Sequence, residues 1–383
     1  MHRPPPRFDD LPFFLEGAHR ALMDDLAGAL EKDDPALHDP KQVGRALAER
    51  GLFRLLVPHA KGGRSVAEPS RLDVRALCLA REALGYVSPL ADSVFAVQGL
   101  GSHPVLLASA AHERDAFLAE VAAGRRVGGF GLTEPEAGSD VASMRTTAQR
   151  EGDGWVLDGE KTFISNVGIA QHFVVFANAD PSAGKKGISA FVVPHDAPGL
   201  TLEKVPMSVD HPLGRLVMKG CRVAGTSLLG EIRHGLRLAL GTLDVFRTSV
   251  GAAACGMARR ALDETLERTR ARVQFGKKLA EQQLTQAAIA EMATELEAAR
   301  LLVYKAAWSK DRGEKAPVAV AMAKMFATEA AQRIIDRAVQ LHVGLGVTTS
   351  VVERLYREIR PLRIYEGTTE IQKLIIGGAL TGP

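Results

Sequence analysis

The chain has 383 residues, of which 48 are Lys or Arg and 45 are Asp or Glu; its formal charge is +3, and 46% of it is hydrophobic. That composition excludes a disordered or fibrous chain. So small a charge over this length gives no pull toward nucleic acid or anionic membrane, whose binders concentrate basic residues in patches.

From Leu11 to about Arg125, apolar residues recur at intervals of three and four, as in Leu22, Leu26 and Leu30 and in Val43, Leu47, Leu52 and Leu55, which predicts helices. Gly51, Gly62 with Gly63, and Pro69 punctuate them. The opening MHRPPPRFDDLPFFLEG sets acids close behind its few apolar residues, so no signal peptide is expected. The uncharged run Ser93 to Ala111 contains Gln98, Gly99, Gly101, Ser102, His103, Pro104 and Ser109, and reads as a broken buried helix, not a membrane span. Near Val127 the texture changes to short β-rich runs between turn dipeptides: Trp155 to Leu157, Phe173 to Phe176, Ile188 to Val193 and Leu200 to Val205. A small all-β domain is expected to end near Gly230. From Ile232 the helical period returns, as in Ile289, Met292, Leu296, Ala299 and Leu302 or Val303, with breakers at Asp311 to Pro317. The expected domains are 1–125, helical; 126–231, β; and 232–383, a helix bundle.

Several chemistries are excluded by missing motifs. Cys78, Cys221 and Cys255 are far apart with no CxxC, which favours a reducing cytoplasm over a disulfide framework or structural zinc. The histidines form no HxH or HExxH, and His112-Glu113 lacks its second histidine, so no metal site is expected. There is no GxSxG elbow and no GxxxxGK[ST] loop. The glycine-rich pieces at Gly99 and Val343 lack a third glycine, and strands do not alternate with helices, which disfavours a Rossmann enzyme.

One segment is dense in chemistry. In Phe130 to Asp140, FGLTEPEAGSD, Pro135 fixes a turn, Gly138 lets backbone approach a ligand, and Thr133 and Ser139 offer hydroxyls beside free amides. Read alone, it is a capped loop after a strand. Four further blocks follow it: KTFISN from Lys161, RVQFG from Arg272 with Gln283 downstream, QLHVGLG from Gln340, and IYEGTTEIQ from Ile364. In this order and spacing the five blocks resemble the acyl-CoA dehydrogenase family, whose flavin signature looks like LTEPxAGSD. The second block resembles the family's K-x-W-I-T-N strand with Phe163 for Trp and Ser165 for Thr, and the third its R-x-x-F-G helix. The fourth resembles Q-x-x-G-G-x-G with Val343 in place of the first glycine.

The resemblance implies an α+β, mostly α fold: an N-terminal helical domain, a central β-barrel or sandwich and a C-terminal four-helix bundle. It implies FAD, with Phe130, Leu132, Thr133, Gly138, Ser139, Phe163 and Ser165 along it and Thr368 and Glu370 closing over it. Arg272, Phe275, Gln283, Gln340 and Gly344 would serve the FAD of a neighbouring subunit in a dimer or tetramer. The implied reaction is α,β-dehydrogenation of an acyl-CoA, with Glu366 as the base and an electron-transfer flavoprotein as acceptor. A loop glutamate is ordinarily solvated, but Ile364 and Tyr365 before it suggest a desolvated setting that would raise its basicity. Its backbone N–H is expected at the thioester oxygen. Some relatives place the base at the position of Phe246, which cannot serve.

Ser139, Tyr365, Gly367, Asp244 and Arg247 are the expected substrate contacts, although Asp244 and Arg247 could equally form an i, i+3 salt bridge. Asp92, Gln98 and His103 look polar for a plain fatty chain and suggest a polar, branched or cyclic acyl group, unless they are capped or solvent-facing. Three alternatives stand on the same fold: an enoyl-CoA reductase, a flavin oxidase or monooxygenase, and a non-catalytic DNA-associated flavoprotein. The last would want a basic extension, whereas the sequence closes on GGALTGP.

Overall fold

The computed structural model describes residues 11, 13–108 and 113–382; the Pro4–Pro6 triplet of the opening segment, the end of the uncharged run at 109–111 and His112 lie outside them. Helices α1 (Gly17–Ala29), α2 (Val43–Glu49), α3 (Val74–Val87), α4 (Pro89–Ala108) and α5 (Glu113–Ala122) come first. Strands β1 (Gly128–Gly131), β2 (Thr147–Glu151), β3 (Gly154–Ser165), β4 (His172–Asn178), β5 (Ile188–Pro194), β6 (Leu200–Lys204) and β7 (Leu213–Ala224) follow. Then come α6 (Gly235–Ala271), the ribbon β8 (Val273–Gln274) and β9 (Lys277–Lys278), α7 (Gln283–Asp311), α8 (Pro317–His342), α9 (Val351–Glu358) and α10 (Thr369–Thr381). The expected order of helices, strands and helices is therefore present. Among the described residues no helix is long and apolar enough to cross a membrane.

The chain divides into two compact units, with α4 and α6 running through the division: one takes residues up to Asp34, Asp73–Asp92 and everything from Arg247, the other Pro35–Leu72 and Ser93–Phe246. The second unit is built on a seven-stranded curled sheet in the order β1-β4-β2-β3-β7-β6, with β5 paired to β4. Strand β4, FVVFA at its centre, is apolar and buried on both faces, as a strand covered on both sides must be. Phe173, Val175, Phe191, Val193, Leu157 and Leu216 form the core around it. Strand β3 runs antiparallel to β7 with register breaks at Leu157/Gly159 and Lys161/Ile164, and the second break shapes the candidate site.

In the first unit α3 is buried on every face, all fourteen residues of it. It can be, because two glycines bring it against α6: a Cβ on Gly85 would lie 2.4 Å from the Ala253 carbonyl oxygen, and one on Gly256 2.0 Å from that of Glu82. The same helix carries Arg81 and Glu82, so two ionised groups enter the core and must be paired there. Glu82 accepts from Arg300 Nε at 2.8 Å and from the Tyr304 hydroxyl at 2.6 Å, both on α7. In α7 the predicted stripe is realised, with Met292, Leu296, Ala299 and Val303 buried. Helix α8 presents Val320, Ala323, Lys324, Ala327, Ala331, Ile334 and Ala338 inward, an alanine-rich face that lets α7 and α10 pack closely. The breakers at Asp311 to Pro317 coincide with the end of α7 and the start of α8.

Candidate active site

In the bundle unit, Glu366 sits on the loop between a short 3-10 turn at Arg360–Arg363 and α10, whose N-cap Thr368 accepts from the Ile371 amide at 3.3 Å. Glu366 and Gly367 both have positive φ, 54° and 93°, a pair of left-handed residues that throws the side chain sharply inward. Three side chains hold that turn. Arg247 Nε donates to the Glu366 carbonyl at 2.8 Å, while Lys324 Nζ and Gln372 Nε2 donate to the Gly367 carbonyl at 2.8 and 2.9 Å. Glu329 ties the flanks, accepting from Arg363 Nε at 2.9 Å and the Thr369 hydroxyl at 2.7 Å.

The cations are thus anchored on the loop's carbonyls and leave its carboxylate largely to itself. The Glu366 side chain is 5% exposed, its Oε1 lies 4.0 Å from Arg81 Nη1, and its buried Oε2 has no hydrogen-bond partner. Burial raises the Glu366 carboxyl above its usual value, against the pull of Arg81, Arg247 and Lys324. Burial likewise lowers the Lys324 ammonium, to about 8. The Glu366 side chain is desolvated, and of the two residues expected to make it so Tyr365 has its phenol buried while Ile364 is 52% exposed. The low polarity comes from burial against α3 and α8.

In the sheet unit, Phe130 lies in β1 with its ring edge-on to Phe176, 5.1 Å between centroids. Leu132 is buried, Thr133 half-buried, and Gly138 and Ser139 are exposed. Glu134 and Ala137 exchange both backbone hydrogen bonds at 3.1 and 3.2 Å, a tight turn with Pro135 at its second position, as the sequence predicts. The Glu134 carboxylate holds the loop, accepting from Lys161 Nζ at 2.7 Å and from the amides of Arg145 and Thr146 at 2.6 and 3.0 Å. Glu134 and Lys161 are therefore the internal brace of the two motifs. Beside Lys161 the register break ejects Phe163, at φ 56° and 66% exposed, while Asn166, at φ 67°, donates to the Gly128 carbonyl at 2.9 Å. Ser165, half-buried, lies between them.

The remaining expected cofactor residues belong to the bundle unit and lie on its surface. Arg272 lies just outside the helix that the resemblance implies: α6 stops at Ala271, and RVQFG forms β8 and the turn to β9. The turn is forced by Phe275 and Gly276 at φ 53° and 74°, and it leaves Phe275 96% exposed. Arg272 lines a cleft of about 430 Å³ with Arg268, Glu264, Glu267 and His342. Gln283, Gln340, Gly344 and Glu370 are exposed. Val343, which replaces a family glycine, adopts φ 54° and ψ −133°, so the backbone keeps the glycine conformation with a valine on it.

The polar residues of α4 are neither solvent-facing nor free. Asp92 spends both oxygens on Arg81 Nε and Nη2, at 2.8 and 2.9 Å. Gln98 accepts from the Gly128 amide at 2.6 Å and donates to the Arg126 and Val121 carbonyls at 2.9 and 3.3 Å. Asp92 and Gln98 accordingly give no ground for a polar acyl group. His103 Nδ1 lies 3.1 Å from the Thr242 hydroxyl. Arg81, Lys324, Gln372 and Ser249 were missed by motif reading; an Arg-Glu pair inside an otherwise apolar helix was the one available signal for Arg81.

Three family models match the chain: "Acyl-CoA dehydrogenase, N-terminal domain" over residues 13–125, "middle domain" over 129–221 and "C-terminal domain" over 233–381. The chain is 36% identical over 350 residues to a caffeyl-CoA reductase-Etf complex subunit of Acetobacterium woodii, covering 89% of this chain and 90% of that one. To the human mitochondrial short-chain specific acyl-CoA dehydrogenase it is 37% identical over 357 residues, 92% of this chain and 85% of that one. Among solved structures, butyryl-CoA dehydrogenase from Megasphaera elsdenii superposes with a TM-score of 0.87 at 32% identity, over 96% of this chain and 99% of the other.

Proposed function

This chain belongs to the acyl-CoA dehydrogenase family and is an FAD-dependent oxidoreductase acting on acyl-CoA, and from that premise we propose that it catalyses α,β-dehydrogenation with Glu366 as the base. The observation that carries the reading is the Glu366 carboxylate: buried, above its usual pKa, with Oε2 unpartnered on a loop fixed by Arg247, Lys324 and Gln372. A solvated glutamate would be a weak base and a tightly salt-bridged one weaker still.

The residues present fit FAD. Phe163 and Phe275 are exposed aromatic rings on positive-φ backbone, strain that a protein keeps where a ligand uses it. Phe130, Leu132, Thr133, Gly138, Ser139, Phe163, Ser165, Thr368 and Glu370 would hold the FAD of their own subunit. Arg272, Phe275, Gln283, Gln340 and Gly344 would hold that of a neighbour in a dimer or tetramer. Bound FAD supplies the acceptor for the β-hydride. The chain's own part is to bind the thioester through Ser139, Asp244, Tyr365 and Gly367 and to receive the α-proton on Glu366. Among the described residues the Glu366 N–H makes no backbone hydrogen bond, which supports its use by the thioester oxygen. Arg247 acts by fixing the Glu366 carbonyl.

An electron-transfer flavoprotein is the proposed acceptor and the cytoplasm the proposed compartment, the latter in keeping with three free buried cysteines. The reverse reaction, enoyl-CoA reduction, is favoured by one observation, the 36% identity to a reductase-Etf subunit; a protonated Glu366 would then deliver the α-proton. Anaerobic titration with a panel of saturated acyl-CoAs tests the primary reading. Wild type should lose its flavin absorbance with at least one thioester and Glu366→Gln with none. Normal bleaching by Glu366→Gln would remove the base assignment, and a flavin bleached by the NADH-reduced partner but by no saturated thioester, and recoloured by an enoyl-CoA, would favour reduction.

A further inference from the structure

Arg81 is fully buried, on the helix that the two glycines press against α6, and its five N–H groups can be accounted for almost completely. Nε and Nη2 form a two-pronged pair with Asp92 at 2.8 and 2.9 Å, and Nη1 donates to the Ser249 hydroxyl at 3.0 Å. The Tyr365 phenol is a further hydrogen-bond neighbour. What remains of Nη1 faces Glu366 Oε1 at 4.0 Å, too far for a hydrogen bond and near enough for attraction.

We propose that Arg81 is a positioning residue for the base: clamped by Asp92 and Ser249, it draws Oε1 of Glu366 toward itself and leaves Oε2 as the oxygen that receives the substrate's proton. The proposal rests on the reading of Glu366 as the base. A direct salt bridge would cap the carboxylate and weaken it, whereas a separation of 4.0 Å orients it without occupying a lone pair. Asp92 completes the device by offsetting part of the guanidinium charge, and the nearer Arg81 keeps a net pull on the carboxylate. Other charged groups face the carboxylate too: Arg247 from α6 and Lys324 from α8, with Glu329 and Glu370 acting on Lys324 in turn. Arg247 and Lys324 are bonded to loop carbonyls, whereas Arg81 Nη1 lies 4.0 Å from the carboxylate itself.

The test compares Asp92→Asn with the double variant Arg81→Met/Asp92→Asn in the FAD-loaded enzyme. The Glu366 carboxyl is titrated by its infrared C=O band, assigned by subtraction of Glu366→Gln, beside the pH profile of flavin bleaching. Asp92→Asn leaves the arginine uncompensated and should move the midpoint down by about one pH unit; the double variant loses the cation without stranding an anion and should move it up by about one unit. Arg81→Lys keeps the charge but not the fork, and should hold the midpoint near wild type while kcat falls at least tenfold with KM little changed. Midpoints equal to wild type in both Asp92→Asn and the double variant would overturn the role of Arg81 while leaving the base intact. Should the double variant not fold, an unmoved midpoint in Asp92→Asn alone overturns it. Normal bleaching by Glu366→Gln would instead sink the base reading, and the positioning role with it.

Discussion

A carboxylate buried without a full set of partners costs the fold something, and at Glu366 that cost has a sign that can be followed with pH. The carboxyl is raised above its unfolded value, so the native state binds its proton more readily than the unfolded chain does. The stability linked to this group is complete below the unfolded pKa, about 4.3, and is lost as pH rises through the folded one. Glu366→Gln removes that loss. Its melting temperature should therefore equal or exceed wild type at pH 8, with the gap closing toward pH 4; a variant several degrees less stable at pH 8 would mean that the carboxylate is a structural partner. Val343 makes the same argument without charge. Its conformation, φ 54° and ψ −133°, is matched by Gly184 at 55° and −130°, and a β-branched side chain there is strained by about 1–3 kcal/mol. Because Val343 is 67% exposed, little packing is lost in Val343→Gly, and a net gain of about 1 kcal/mol is expected after the entropy of the added glycine. Thermal or denaturant unfolding of the two proteins measures it, and a loss would show that the valine packs on something that matters.

At the scale of elements, α3 lies against α6 at Gly85 and Gly256 with no room for a Cβ at either, and that approach sets where Arg81 and Glu82 enter the core. Backbone atoms cannot move aside as side-chain ends do. Gly85→Ala and Gly256→Ala should each cost roughly 1–3 kcal/mol or more by overpacking. By contrast Gly377→Ala, in α10 with nothing within 4 Å of an added Cβ, should stabilise by about 0.5–1 kcal/mol from helix propensity. If all three behaved alike, the close approach would not be what holds α3 in place. The sequence shows the helices well because their buried stripes repeat, and it shows β4 and β5 because they are continuous apolar runs. Strands β2, TAQRE, and β7, LGRLVMKGCRVA, escape notice because charges and glycines dilute their alternation. Most of the site is legible as motif, since Phe163, Phe275 and Glu366 sit in short segments whose strained backbone constrains the neighbouring residues. Arg81, Ser249, Lys324 and Gln372 meet the Glu366 loop only through folding, and nothing local in the sequence marks them as its holders.

For the whole molecule, the pattern of exposed apolar side chains bears on assembly. In the bundle unit Phe275 is 96% exposed, Leu284 88%, Leu345 54% and Val347 75%, all in the two segments that carry Arg272, Gln283, Gln340 and Gly344. Single exposed apolar residues are ordinary, but several within functional motifs point to a surface that is covered in use. If those segments complete the FAD site of a neighbouring subunit, two defective proteins should repair each other. Glu366→Gln lacks the base but has an intact arm; Arg272→Ala/Phe275→Ala keeps the base but lacks the arm. Each alone should be inactive. After mixing under conditions that exchange subunits, a hybrid pairs the intact base of one with the intact arm of the other, one working site in two. Random pairing makes half the dimers hybrid, so activity should return to about a quarter of wild type, appearing with the kinetics of subunit exchange and never when exchange is prevented by a cross-link. No recovery after demonstrated exchange would place Arg272 and Phe275 at the cofactor of their own chain, and the exposed segments would then need another covering.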